Sequence, residues 1–138
     1  MKWSIHHVNL PSHNVRESAE FYKTVLGLED GPTPKTIGGG HGNFERSDDA
    51  YVFIGDGDRG LHLVKPIPSF AKDNNFTINP VVAGHFAITV DDLDEVKRRL
   101  DEAGIFYSDA GNYAMSGVRQ LYLYDPSMNC VEINQVED

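Results

Sequence analysis

Three histidines and one glutamate are spaced in two matched pairs along this chain. His7 opens a strand-like segment that leads into a helix, and His85 opens a second segment of the same kind. His62 follows His7 by 55 residues and Glu132 follows His85 by 47, each within the last strand-like segment of its half. A duplicated module that carries one metal-ligating side chain at its start and one at its end predicts a site with four ligands.

The alternation of apolar and polar residues places these four side chains on one face of the predicted sheet. Apolar residues of the opening and closing segments form the set that packs under the helices. The intervening positions turn to the opposite face, and they are His7, Asn9, His62, Val64, His85, Ala87, Thr89, Glu132 and Asn134. The same counting turns His6 to the helix side. Burial of Glu132 without a compensating charge would cost several kcal/mol, which a cation offsets.

Each half contains one predicted amphipathic helix directly after its opening strand. The first helix runs from an N-cap at Asn14 to Leu26, and Gly27 ends it. Its buried stripe is expected to consist of Val15, Ala19, Tyr22, Val25 and Leu26. The second helix occupies 92–103, starts at an aspartate and is followed by a glycine that ends it.

Six strands and two longer connections complete the sequence pattern. The strands are predicted at 5–10, 51–54, 61–65, 84–90, 118–124 and 130–135. A connector rich in Pro, Asn and Ser joins the halves, and its Phe70 and Phe76 are expected to lie against the protein. The glycine-rich segment from Gly31 to Gly42 is a predicted lid. His41 within it would approach the site only if that segment folds down.

Composition and charge exclude several classes of function. The 138 residues carry a net charge of −9 and no long Lys/Arg cluster, which argues against nucleic acid and anionic membranes as partners. No apolar run approaches the ~20 residues of a membrane span, and the first residues contain no apolar signal core. The single cysteine, Cys130, allows no internal disulfide and is expected to be a small buried hydrophobe. We therefore expect a single cytoplasmic domain.

Three segments carry a family resemblance that covers nearly the whole chain. They are His7–Leu10 with the following 20–28, then Gly84–Leu93, and finally 117–132, which contains Asp125-Pro126 before Val131-Glu132. Together they resemble the vicinal oxygen chelate superfamily, which includes glyoxalase I, extradiol dioxygenases, methylmalonyl-CoA epimerase, and fosfomycin- and bleomycin-resistance proteins. The same scaffold hosts several reactions, so the resemblance indicates a fold more sharply than a chemistry.

The resemblance implies an α+β fold of two βαβββ modules that form one cup-shaped mixed sheet around a divalent metal ion. Its domain organisation would be a single domain with module one at 1–66, a connector at 67–80 and module two at 81–138. It also implies a homodimer, since such modules pair through open sheet edges. The expected partner besides a second copy is a small-molecule substrate.

The ligand positions of the superfamily fall on His7, His62, His85 and Glu132 of this chain. Many members have Glu or Gln where His62 stands. Imidazole and carboxylate ligands suit Zn, Ni, Fe, Co or Mn, and the set lacks the thiolates of a structural zinc site. Four protein ligands on an octahedral ion would leave two adjacent positions for two neighbouring substrate oxygens. The chain departs from the family at the tight turn, where Met128 takes the place of the usual Gly.

Other side chains are predicted to contact the substrate. Gln120, Tyr122 and Tyr124 alternate with leucines, so these three are expected to face the cup. Asn9 shares the face of the candidate ligands and is a further predicted contact. Arg119 is out of phase by one residue, and it is either a charge at the surface or dimer edge or a clamp for an anionic group of the substrate.

Three functions from different classes fit this pattern. The first is a metal-dependent lyase or isomerase of the glyoxalase type, in which the ion lowers the pKa of a C–H beside a carbonyl and stabilises an enediolate. Glu132 and Tyr122 are its predicted catalytic residues, with a water held by the ion as the alternative base.

The second function is an extradiol-type dioxygenase with Fe(II) on His7, His85 and Glu132. A bound His62 would count against it, because catecholate and oxygen together need three open positions. The third is a non-enzymatic binding protein of the resistance type, which ranks last because this chain keeps all four candidate ligands.

Overall fold

The computed structural model describes residues 1–28, 49–55 and 59–137. The described strands are β1 (Trp3–Pro11), β2 (Tyr51–Ile54), β3 (Gly60–Val64), β4 (His85–Val90), β5 (Tyr107–Gly111), β6 (Val118–Tyr124) and β7 (Cys130–Val136). The described helices are α1 (Val15–Glu20), which continues as a π-helical turn (Phe21–Val25), α2 (Phe70–Asp73) and α3 (Leu93–Ala103). The predicted lid, with His41, lies outside the described residues.

One curled mixed sheet contains all seven described strands, in the order β2-β3-β1-β4-β7-β6-β5. β1 pairs in parallel with β3, and β4 pairs in parallel with β7. β1 and β4 then pair antiparallel at the centre of the sheet, with Asn9 opposite His85. The predicted α+β fold with a mixed sheet is confirmed, and the two halves pair within one chain.

The second half contains a strand that the sequence pattern does not predict. Its order β4-α3-β5-β6-β7 has three strands after the helix, whereas alternation predicts only two of them. β5 has the sequence Tyr-Ser-Asp-Ala-Gly, in which turn-forming residues hide the strand signal. Pairing with β6 supplies the backbone hydrogen bonds that make this segment a strand.

The helix caps follow the sequence prediction. Asn14 and Asp92 each accept a hydrogen bond from the backbone N–H three residues later, which satisfies a donor that the first helical turn leaves open. Gly104 ends α3 in the left-handed conformation at φ 67°. Leu93 at the start of α3 is buried with Leu121 in a cluster between helix and sheet. Within the described residues, no helix has both the length and the apolar character needed to cross a bilayer.

The first helix changes form after Glu20, and the predicted buried stripe breaks there. The Leu26 N–H bonds the carbonyl of Phe21, five residues earlier, which is the π-helical pattern. The wider turn shifts the phase of the residues that follow. Val25 is therefore 70% exposed and Leu26 53% exposed, so the prediction that both are buried is wrong.

A β-bulge in β1 turns two consecutive histidines inward. The register with β4 shifts between Ile5 and His7, so His6 is the extra residue of the bulge. His6 and His7 are each only 3% exposed. The prediction that His6 faces the helix side by simple alternation is wrong, because alternation fails where one residue is inserted.

The connector between the halves packs against the sheet as expected. Phe70 of α2 is buried, and its ring meets Tyr113 edge to face with 5.5 Å between ring centroids. Phe76 is half-buried and contacts the same ring at 5.1 Å. Cys130 is half-buried against this cluster, and burial raises the pKa of its thiol to about 11. The connector thus forms one wall of the concave side of the sheet.

Gly84 allows β1 and β4 to approach closely beside His85. Its φ of +81° lies in the region that side chains disfavour. A Cβ atom at this position would lie 2.3 Å from the backbone oxygen of Asn9 and 3.0 Å from Cδ of Pro11. Only a residue without a side chain fits there.

Candidate metal centre

A cavity of about 80 Å³ lies on the concave side of the sheet, and we call it the cup. The predicted site residues that line it are His7, Asn9, His62, His85, Gln120, Tyr122 and Glu132. Most of the remaining lining is aromatic or aliphatic, from Tyr51, Phe53, Val64, Ile67, Phe70, Tyr113 and Met115. The four candidate ligands therefore share one cavity, although they come from four different strands.

Three of the candidate ligands bring their donor atoms together at the base of the cup. Nε2 of His7 and Nε2 of His85 lie 3.3 Å apart. Oε2 of Glu132 lies 3.3 Å from the first of these nitrogens and 3.0 Å from the second. All three residues are at least 92% buried. Among the described residues, this is a group that could hold a metal ion.

The size of this triangle fits a single divalent ion. Donor atoms bound at ~2.0–2.2 Å and separated by octahedral or tetrahedral angles would lie roughly 2.8–3.6 Å from one another. The three observed separations fall within that interval. Two imidazoles and one carboxylate are also the donor set that suits Zn, Ni, Fe, Co or Mn. The residues present therefore fit the divalent ion that the family resemblance implies.

Hydrogen bonds behind the ligands orient the two imidazoles. The carbonyl of Pro80 accepts from Nδ1 of His85 at 2.7 Å, which directs Nε2 of His85 toward Glu132. Nδ1 of His7 lies 2.8 Å from Nδ1 of His6, so the bulge residue holds the other imidazole. Bare nitrogens facing a carboxylate at 3.0–3.3 Å would repel it. The arrangement needs positive charge at its centre, from a metal ion or from protons on the imidazoles.

A buried relay orients the carboxylate. Nδ2 of Asn134 donates to Oε1 of Glu132 at 2.8 Å, and Oγ1 of Thr89 donates to Oδ1 of Asn134 at 2.7 Å. Oε2 of Glu132 is therefore the oxygen turned toward the two imidazoles. Burial raises the pKa of Glu132, but His7 and His85 outweigh it and hold that pKa well below its usual value. The relay and the imidazoles together keep the carboxylate ionised.

Thr89→Val tests this relay with a substitution of nearly equal volume. Without the Thr89 hydroxyl, the Asn134 amide is no longer held in the orientation that donates to Glu132. We expect the affinity for Zn²⁺ to fall by about tenfold, as for other groups that orient metal ligands. Competition with a chromogenic chelator measures it. Thr24→Val, at an exposed position, is the matched control, and equal Zn²⁺ affinity in the two variants would remove Thr89 from the relay.

His62, the predicted fourth ligand, lies outside the group of three. Its ring is stacked between His7 and Phe53, with 3.9 Å between centroids on each side and interplanar angles of 14° and 13°. An imidazole binds a metal in its own ring plane at ~2.0–2.1 Å. An ion in the plane of the His7 ring would lie beyond that distance from a parallel ring. In this arrangement His62 supports His7 by contact and does not share its ion.

Two substitutions at His62 separate stacking from ligation. His62→Phe keeps a flat ring between His7 and Phe53, and we expect Zn²⁺ affinity to change by less than about threefold. His62→Ala removes the ring, and we expect the free energy of unfolding to fall by about 2–3 kcal/mol. Urea denaturation and chelator competition provide the two measurements. A large loss of Zn²⁺ affinity in both variants would show that His62 is a ligand after all.

Tyr122 and Gln120 form a hydrogen-bonded pair on the wall of the cup. The Tyr122 hydroxyl donates to Oε1 of Gln120 at 2.9 Å, and Nε2 of Gln120 donates to the backbone carbonyl of Tyr113. Burial, followed by the charge of Glu132, raises the pKa of Tyr122 well above its usual value. The phenol therefore stays protonated beside the metal ligands.

Of the other predicted contacts, one lies in the cup and two do not. Asn9 lines the cup, is 6% exposed, and its Oδ1 has no hydrogen-bond partner. Arg119 is directed away from the cup and bonds Asp94 of α3 at 2.7 Å, so its role is that of a surface charge. Tyr124 is 39% exposed near the end of β6 and does not line the cup, so that prediction is wrong.

Sequence reasoning missed two orienting groups. The contact of His6 depends on the bulge, which no local motif announces. The Pro80 carbonyl is a backbone group and leaves no signature in the side-chain pattern. Asn134 was detectable, because it lies two residues after Glu132 and shares its face.

Comparison with known proteins agrees with this architecture. The sequence model of the glyoxalase/bleomycin resistance protein/dioxygenase superfamily matches residues 4–133. A search of curated proteins finds no match. Among solved structures, a methylmalonyl-CoA epimerase from Streptomyces coelicolor is similar with a TM-score of 0.61 at 17% identity, covering 97% of each chain.

Two further solved structures show the same fold. A hypothetical protein from Bacillus halodurans gives a TM-score of 0.61 at 18% identity, covering 100% of this chain and 97% of its own. A superfamily member from Vibrio splendidus gives 0.56 at 17% identity, covering 97% and 99%. Identities this low establish the fold and leave the reaction open. The chain belongs to the glyoxalase/bleomycin resistance protein/dioxygenase superfamily.

Proposed function

We propose that this protein is a metal-dependent lyase or isomerase of the glyoxalase type, acting on a small substrate held through two neighbouring oxygens. The observation that carries the proposal is the buried triangle of His7, His85 and Glu132 at the base of a mostly apolar cavity. A divalent ion bound there supplies Lewis acidity to the two oxygens and acidifies the adjacent C–H.

The chain's own residues supply position and proton transfer. Glu132 touches both imidazoles, and as an ionised carboxylate at the base of the cup it is the nearest group that accepts a proton from the substrate. Tyr122 stands opposite Glu132 in the β6–β7 register and contacts the substrate from the wall. The apolar lining excludes water, which strengthens every electrostatic interaction at the base.

A second candidate, an extradiol-type dioxygenase, is favoured by one specific observation. His62 is stacked on His7 and does not join the ligand triangle, so two imidazoles and one carboxylate remain. That set is typical of Fe(II) oxygenases, which keep three positions open. The aromatic wall of the cup, with Phe53 and Tyr113, also suits a flat ring.

One comparison of activities separates the candidates. Metal content of the purified protein is measured first, followed by turnover of methylglyoxal hemithioacetal and by oxygen uptake with catechols. Turnover with Zn or Ni and no oxygen uptake supports the lyase or isomerase. Tightly bound iron with oxygen uptake supports the dioxygenase. Absence of bound metal, with His85→Ala leaving ligand binding unchanged, would support a non-enzymatic binding protein instead.

The proposal includes a cytoplasmic location and a homodimeric assembly. The first rests on the acidic composition and the lack of an apolar signal core in the sequence. The second rests on the family resemblance, and sedimentation of the purified chain tests it.

A further inference from the structure

The direction of the hydrogen bonds on the wall of the cup is fixed by a backbone group. Nε2 of Gln120 bonds the carbonyl of Tyr113, and a carbonyl only accepts. The amide oxygen of Gln120 must then face Tyr122. Because Oη of Tyr122 lies 2.9 Å from that oxygen, its single proton is donated to Gln120.

Tyr122 consequently has no proton to give to a ligand. The other polar group beside its hydroxyl is the Glu132 carboxylate, which is also an acceptor. Whichever of the two takes the proton, the phenol oxygen offers only lone pairs to the cup. Tyr122 is 4% exposed and Gln120 is 2% exposed, so water does not easily replace this partnership.

A second acceptor lines the same cavity. Oδ1 of Asn9 is buried and lacks a hydrogen-bond partner. Asn9 lies opposite His85 in the β1–β4 register and opposite His62 in the β1–β3 register, which places it beside the metal ligands. A buried acceptor without a partner is costly, and a ligand that donates a hydrogen bond removes that cost.

The described lining of the cup carries no positive side chain. None of the described residues around the cavity is Lys or Arg. A metal ion with Glu132 leaves roughly one positive charge at the base, which the two chelating oxygens of a neutral ligand can balance by losing one proton on binding. The wall therefore favours uncharged ligands over those that carry a carboxylate or phosphate.

From these observations we infer that the cup selects α-hydroxy carbonyl compounds, in which one of the two neighbouring oxygens arrives as a hydroxyl, and discriminates against 1,2-diketones. The inference rests on the proposed function, because the metal ion must hold the oxygens. Tyr122, locked by Gln120 as an acceptor, receives the hydroxyl proton. A 1,2-diketone offers only acceptors and leaves Tyr122 and Asn9 without partners.

Acetoin and diacetyl test the inference, since they share one carbon skeleton and differ in a hydroxyl against a carbonyl. The full chain is loaded with Co²⁺, and binding is followed by the change in the visible Co²⁺ absorption. We expect acetoin to bind at least about tenfold more tightly than diacetyl, the factor typical of an unpaired buried acceptor.

Two variants probe the role assigned to the pair. Tyr122→Phe removes the acceptor, and acetoin affinity is expected to fall to that of diacetyl. Gln120→Leu releases the Tyr122 proton toward the cup, so the preference should shift toward diacetyl. The Co²⁺ spectrum of each variant before ligand addition reports whether the metal site is intact.

The outcomes separate the inference from the function on which it rests. Failure of the wild-type chain to bind Co²⁺ overturns the proposed function, and this inference with it. Co²⁺ binding with diacetyl held as tightly as acetoin overturns the inference alone. Binding of neither compound to the Co²⁺-loaded chain also overturns the inference, because the substrate class is then wrong.

Discussion

Glu132→Gln is expected to lower the affinity for Zn²⁺ by more than about a hundredfold, since loss of a group that only orients a ligand costs 10–100-fold. The amide keeps the shape of the side chain but removes the charge that both imidazoles face at 3.0–3.3 Å. Chelator competition and metal analysis of the purified variant measure the loss. Glu20→Gln, at an exposed position of α1, is the control. Retention of wild-type affinity by Glu132→Gln would place the metal elsewhere.

The same variant should change how acid affects the metal-free protein. The pKa of Glu132 in the folded chain lies well below its usual value of 4.5. A carboxyl with a depressed pKa stabilises the fold above its unfolded pKa, and that contribution is lost as the pH falls toward the folded pKa. Urea unfolding between pH 7 and pH 4 should show a shallower decline for Glu132→Gln than for wild type. Parallel declines would mean that the histidines do not stabilise this carboxylate.

Gly84→Ala is expected to lower the free energy of unfolding by about 3 kcal/mol, from backbone strain together with a steric clash. The new Cβ would lie 2.3 Å from the backbone oxygen of Asn9, and backbone cannot move aside as a flexible side chain does. Relief of the clash requires β1 and β4 to separate beside His85. Urea denaturation of the two proteins measures the difference, and metal affinity should fall in parallel.

Gly104→Ala is a matched control for this prediction. Its φ of +67° is similarly unfavourable, but nothing lies within 4 Å of the added Cβ. It therefore reports the conformational cost alone, about 1 kcal/mol. Equal destabilisation by the two substitutions would show that the strands tolerate separation at Gly84.

Much of the site could be predicted because strands alternate strictly. Period-two counting places His7, His62, His85 and Glu132 on one face, and the structure lines one cavity with them. The helix caps at Asn14 and Asp92 were also readable, because a cap depends on residues only three apart.

The errors occur where one residue disturbs the period. The bulge at His6 and the π-helical turn before Leu26 each insert a residue, and counting from either side then assigns the wrong face. Spacing also cannot reveal the rotation of a ring. The stacking of His62 on His7 depends on Phe53 from another strand, which enters only with the tertiary structure.

The antiparallel pairing of β1 with β4 couples metal binding to the integrity of both halves. His7 belongs to the first half, whereas His85 and Glu132 belong to the second, so an ion held by all three bridges the boundary between them. Such an ion stabilises only molecules in which that boundary is formed, by RT ln(1 + [M]/Kd) for free metal at concentration [M]. Local opening of either half releases the ion, and a loaded molecule therefore unfolds as one cooperative unit.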